Sequence, residues 1–228
     1  DSLDAYDRQT MQAQIPNISC RVQLPNYFYI PSDLYYTYGP ILSREIINKG
    51  KMAALNEALG EYKRTGLTNL PTSEQIYSSE KYFANERYDV IEIADVEIGN
   101  FELIDEGTIG SLDIVYLLQD TIGPIPAITA AVGIGGGSWK DYVDPSGNLV
   151  MTVKISGDTS EDLDEIYDAY ILWGDTQKRF TEVVEQYNGL IYKGSTNVWI
   201  SKQNGFVKMV LSQDLNIIDE ISSQLGDL

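Results

Sequence analysis

The spacing of apolar residues changes several times along the chain, and each change marks an element. From Pro40, the stretch "PILSREIINKGKMAALNEALGEYKRTG" puts Leu42, Ile46, Ile47, Leu55, Leu59 and Tyr62 at mostly helical spacing. Pro40 suits a first helical position, Gly50 is a weak point and Gly66 is a stop. A second helix is predicted after Pro71, where Thr72 and Gln75 form a capping box and Ile76, Tyr82 and Phe83 supply an apolar side. Alternation in "YDVIEIADVEIGNFELI" predicts two strands around Gly99-Asn100, with a change of face near Val90-Ile91 of the kind a bulge produces. The next segment, "GSLDIVYLLQD", fits a helix and a strand equally well.

The second half is more sharply punctuated. Asp144-Pro145-Ser146-Gly147-Asn148 is a turn between "SWKDYV" and the alternating "LVMTVKI", so residues 138–155 read as a hairpin. A long helix is predicted from Ser160, capped by Thr159 and Asp162, with a stripe running through Leu163, Ile166, Tyr167, Tyr170, Phe180, Val183, Val184 and Tyr187. Gly174-Asp175 is a potential break in it, and Asn188-Gly189 closes it. Short strands follow at 190–193, 197–201 and 206–211, and a final amphipathic helix carries Ile217, Ile218, Ile221 and Leu225. Sequential hairpins imply antiparallel pairing, so the predicted fold class is α+β, a mainly antiparallel sheet with helices packed on one face. The expected organisation is an N-terminal half over 1–120, an apolar glycine-rich connection over 121–138 and a second half over 139–228, or one continuous domain. Ahead of these, residues 1–19 read as a short helix or arm, and "CRVQLPNYFYI" at 20–30 reads as an edge strand or extended segment interrupted by Pro25.

Composition narrows the chemistry. The 228 residues are 43% apolar and 11% aromatic, as in folded globular chains. Asp and Glu total 34 against 16 Lys and Arg, a formal charge of -18, which repels nucleic-acid backbones and anionic headgroups. There is no histidine, so Ser-His-Asp, Cys-His and His-metal chemistry are excluded within one chain. A lone Cys20 cannot form an internal disulfide. Opening on Asp1 without a basic and then apolar leader reads as a chain begun after a removed targeting segment, which points to an exported bacterial protein.

Four features carry candidate chemistry. "TIGPIPAITAAVGIGGGSW" at 121–139 has no charged residue, but its glycines miss the G-x-G-x-x-G spacing and precede a hairpin, so nucleotide binding is disfavoured. Its prolines and glycines also make it a poor spanning helix. It reads instead as a buried irregular segment or strand pair, with membrane interaction through 121–138 as the alternative. The acidic run "DTSEDLDEIYD" suits a helix cap better than a calcium loop, and no metal or cofactor is expected. Paired carboxylates leave a glycosidase open as a second alternative. The tyrosine-rich "NYFYIPSDLYYTYGP" is the favoured recognition surface, with Tyr27, Tyr29, Tyr35, Tyr36 and Tyr38, joined by Trp139, as candidate ligand-binding residues.

The closing "GLIYKGSTNVWISKQNGFVKMVLSQDLNIIDEISSQL" resembles the strand-strand-helix ending of extracytoplasmic domains in bacterial membrane-attached lipoproteins. The resemblance covers about a sixth of the chain and carries no catalytic residue. It implies a location at the cell envelope or outside the cell, with membrane contact only through a removed anchor. Together these readings predict a non-enzymatic binding module for a carbohydrate, a peptide or an envelope protein.

Overall fold

The computed structural model describes residues 34–65 and 71–226. The predicted arm at 1–19 and the segment at 20–30, with Tyr27 and Tyr29, lie outside the described residues. The protein is α+β and is built on a seven-stranded antiparallel sheet in the order β1-β2-β3-β7-β6-β5-β4. The strands are β1 (Glu102–Thr108), β2 (Ile134–Val143), β3 (Leu149–Gly157), β4 (Glu182–Gln186), β5 (Gly189–Lys193), β6 (Asn197–Gln203) and β7 (Phe206–Ser212). The helices are α1 (Gly39–Thr65), α2 (Ser73–Tyr77), α3 (Ser79–Ala84), α4 (Ser111–Ile122), α5 (Pro124–Val132), α6 (Ser160–Thr176) and α7 (Leu215–Gly226), with a π turn at Leu34–Tyr38 ahead of α1.

Local chemistry accounts for the hairpins. Tyr187 and Asn188 both have φ 53°, and Asn204 and Gly205 have φ 53° and 79°, the left-handed pairs whose twist matches two antiparallel strands. Between β2 and β3, the Asp144 carboxylate accepts from Ser146 N and Asn148 N, both at 2.8 Å, and closes the turn. Both predicted capping boxes form: Thr72 Oγ1 accepts from Gln75 N at 3.2 Å, and Thr159 Oγ1 from Asp162 N at 3.1 Å. α1 kinks where its glycine falls, at Gly50 and Lys51.

Four expectations need correction. The helix from Ser160 stops at Thr176, and Glu182–Gln186 is a strand paired with β5, so Tyr187-Asn188 is a hairpin turn rather than part of a helix end. Of the two strands expected over 88–104, only β1 joins the sheet; the chain through Ile93, Val96 and Ile98 runs outside the ladder and buries all three side chains. The predicted helix after Pro71 divides at Ser78 into α2 and α3. The apolar stretch at 121–139 is neither irregular nor a strand pair. Pro124 occupies the first turn of α5, where its missing N–H has no helical partner to lose, Gly133 caps the end of that helix, and Gly135, Gly136 and Gly137 lie in β2.

The sheet is covered on both faces. Over one, Ile114, Val115 and Leu118 of α4, the alanines of α5 and Leu163, Ile166, Ala169 and Trp173 of α6 pack on Val153, Ile155, Val198, Ile200, Val207 and Met209. Over the other, Ile218, Ile221 and Leu225 of α7, with Val96 and Ile98, pack on Tyr142, Val150, Ile191, Trp199 and Val210. The glycines of β2 let chains approach it closely. A Cβ at Gly136 would stand 2.2 Å from Asp89 O, and Asp89 N bonds to Gly135 O at 2.6 Å.

Candidate functional site

The helix-covered face is not covered to its end. Gln177 N bonds back to Trp173 O and Gly174 O, α6 terminates, and the chain leaves for the β4 edge. This leaves a cleft of about 290 Å³ between the sheet and the ends of α4 and α6. Register sets its floor. One rung runs Trp139, Val153, Met209 across β2, β3 and β7, and the next same-face rung runs Met151, Leu211, Val198 across β3, β7 and β6. Side chains two residues apart on a strand share a face, so two rungs of two alternating strands give a continuous apolar surface.

Trp139 is placed by a glycine. It lies opposite Gly107 in the ladder, and a Cβ there would stand 2.8 Å from the indole Nε1, so only glycine lets the ring fold against β1. Ile109 and Leu117 supply further apolar lining. α6 contributes Trp173 and Tyr170, both almost wholly buried at residue level. The Tyr170 hydroxyl makes no hydrogen bond among the described residues. Burial, aided by the charge of Asp113, holds its pKa far above neutrality, so it remains a hydrogen-bond donor.

Two charged groups border this lining. Asp113 is tied into the start of α4, its Oδ2 accepting from Gly110 N at 2.8 Å. Arg179, just beyond α6, lies over the rings of Trp173 and Phe180, at 5.2 Å and 5.0 Å from their centroids. It makes no ion pair among the described residues, in a chain with two acids for every base.

Comparison of the chain with protein-family models, curated proteins and solved structures finds no match.

A second cluster of titratable groups lies where α2, α3 and the β3–α6 corner meet. Glu74, Glu86 and Asp158 bring carboxylate oxygens within 4.8 Å of one another, the spacing of a cation site. The cation is internal: Lys81 Nζ lies 2.8 Å from Glu74 and 2.6 Å from Glu86, and also contacts Asp158. Burial pushes the Glu74 carboxyl up to about 7 despite the lysine, and Asp158 is raised for the same reason. For Lys81, burial acts downward, but its three carboxylate partners outweigh it and lift its pKa above the ordinary value. These carboxylates converge on an ammonium, whereas a hydrolytic pair would face each other across a substrate cleft. The arrangement clasps α2 and α3 to the sheet layer.

The structure separates the sequence-predicted site residues. Trp139 lies in the cleft, but Tyr35, Tyr36 and Tyr38 do not. Tyr35 and Tyr36 are exposed at 63% and 81%, and Tyr38 is half-buried, edge-to-face with Tyr77 at 4.8 Å. Within 121–138, Ala127, Ala130, Ala131 and residues 133–138 are buried while Pro124, Ile125, Pro126 and Thr129 are exposed, and among the described residues no helix is long and apolar enough to cross a membrane. The cleft residues that sequence reasoning passes over are Met151, Met209, Leu211, Trp173 and Arg179. Their available signal is the matched alternation of "LVMTVKI" and "FVKMVLS", which puts a methionine two residues from another apolar side chain on each of two strands that prove to be neighbours.

Proposed function

We propose that the protein is a non-enzymatic binding module that takes a small ligand with an apolar body into the cleft beneath α4 and α6. The observation that carries this is the apolar floor left partly uncovered at Trp139, Met151 and Leu211, laid on the buried Val153, Met209 and Val198 and walled by Trp173. The volume is at the lower end of ligand cavities, enough for an aromatic-sized group. Methionine thioethers beside indoles give a polarisable surface that adapts to varied apolar shapes. A carbohydrate would need a denser ring of hydrogen-bonding groups than Asp113, Arg179 and Tyr170 supply, so the lining favours an apolar ligand. The acidic composition and the C-terminal resemblance support an extracytoplasmic setting at a bacterial envelope for this binding.

The test uses N-phenyl-1-naphthylamine, an uncharged probe that brightens in apolar surroundings. Saturable binding at one site per chain is expected, with quenching of tryptophan emission. The substitution Leu117→Trp, at a cleft residue that is 44% exposed and therefore tolerant of change, narrows the opening and is expected to weaken the probe at least tenfold. Non-saturating binding, or binding indifferent to Leu117→Trp, would sink the proposal.

A further inference from the structure

Resting on that reading of the cleft, we infer that its ligand is a small soluble organic anion: an apolar, aromatic-sized body ending in one carboxylate or sulfonate, held by Arg179. Three observations converge on this chemistry. First, Arg179 is the one basic side chain in the cleft lining, and no carboxylate neutralises it among the described residues. It is not placed there by an ion pair but by stacking on Trp173 and Phe180. A stacked guanidinium keeps its in-plane N–H fork free, and that fork matches the two oxygens of a carboxylate.

Second, Tyr170 is 2% exposed as a residue, its hydroxyl makes no hydrogen bond among the described residues, and the residue lines the same cleft. Its surroundings keep the hydroxyl protonated, and as a donor it suits an anionic or carbonyl oxygen. Third, the remaining charged lining group, Asp113, repels the ligand's anionic end and so favours the orientation in which that end meets Arg179. The chain as a whole carries a charge of -18, so an anion gains nothing from the general surface and is captured only where Arg179 outweighs it.

The experiment compares two probes sharing one aromatic skeleton: uncharged N-phenyl-1-naphthylamine and its sulfonated counterpart, 8-anilinonaphthalene-1-sulfonate. Each is titrated into the wild-type chain and into Arg179→Gln and Arg179→Lys. Arg179 is exposed beyond the end of α6, so both variants are expected to fold, and unchanged thermal melting verifies this. The sulfonate is expected to bind the wild type at least as tightly as the uncharged probe. Arg179→Gln should weaken the sulfonate at least tenfold and the uncharged probe less than twofold, and Arg179→Lys should recover part of the sulfonate's affinity. If Arg179→Gln weakens both probes equally, or neither, the anion inference falls while the cleft reading stands. If neither probe binds the wild type, the cleft reading falls and takes this inference with it.

Discussion

The two faces of the sheet are closed by different means. On the α7 face, Trp199 and Val210 lie wholly buried beneath Ile218 and Ile221, and two lysines fasten the cover from within. Lys208, 2% exposed, donates to Leu225 O at 2.5 Å near the end of α7, where carbonyls lack helical partners, and Lys154 donates to Glu92 O at 3.2 Å. On the opposite face, α6 ends before the sheet does, leaving Trp139, Met151 and Leu211 only partly buried. One face therefore spends its aromatic area on stability and the other leaves part of it available. The same strands serve both, because successive side chains alternate between the faces.

This contrast is tested most severely by truncating one tryptophan from each face. Trp199→Ala empties a site that is 0% exposed and leaves Gln186 O without its 3.3 Å bond from the indole, so a loss of about 3–5 kcal/mol is expected. Trp139→Ala should cost roughly 1–2 kcal/mol, since its ring is only partly covered, but should remove most of the affinity for N-phenyl-1-naphthylamine. Urea denaturation of the two variants decides the matter. Equal losses of stability would mean that the cleft is ordinary core.

Elements governed by local rules are legible in the chain, and those governed by pairing are not. Thr72 with Gln75 and Thr159 with Asp162 announce their helices because a capping box is complete within four residues. The stripe of Ile218, Ile221 and Leu225 likewise announces α7. The error over 177–187 has a physical cause: Phe180, Val183 and Val184 happen to keep helical spacing, but pairing of Val183 with Tyr192 and Val184 with Ile191 gives these β-branched residues a ladder. The ladder wins. Trp139 is visible as a candidate, yet its partners Val153 and Met209 lie on strands whose adjacency follows from β3, ending at Gly157, pairing with β7, beginning at Phe206. Tyrosine density at 27–38 is equally visible, but density cannot say that Tyr38 turns toward Tyr77 while Tyr35 and Tyr36 stay exposed.

The faces should also differ in the sign of their pH dependence. On the helix-covered side, Glu74 is raised by burial to about 7 from an ordinary 4.5, so the folded state binds its proton more tightly than the unfolded chain. That contribution is fully present below pH 4.5 and is lost as pH rises toward about 7. Lys208 behaves oppositely. Burial, followed by repulsion from Lys154, lowers its pKa below 10.5, so stability is gained as pH rises from its folded value toward 10.5. Glu74→Gln keeps an acceptor for Lys81 but removes the titration. Denaturation midpoints should therefore fall less steeply from pH 5 to pH 8 in Glu74→Gln than in the wild type, and, with the series carried on toward the ordinary lysine value of 10.5, Lys208→Met should flatten the alkaline side alone. An unchanged slope in Glu74→Gln would show that the clasp does not set the acid-side dependence.

The smallest expected effect lies at the β1 edge, where the same two strands carry opposite charge patterns on their two faces. Away from the cleft, Lys140 opposes Glu106 in the ladder, with Nζ at 3.7 Å, and also contacts Asp95. On the cleft side the next pair is Asp105 opposite Asp141, which in turn neighbours Met151. Burial raises the Asp141 pKa, and the nearby charge of Asp105 adds to the rise. Like charges directly opposed in a ladder destabilise it, so Asp105→Asn should raise stability by about 0.2–1 kcal/mol at neutral pH. The gain should vanish once Asp141 is protonated at low pH. Lys140→Gln, one position along β2 on the other face, should lower stability by a similar amount, since it leaves Asp95 and Glu106 without their cation. If Asp105→Asn is neutral at both pH values, the two acids do not oppose each other in solution, and the charge asymmetry between the faces carries no energetic weight.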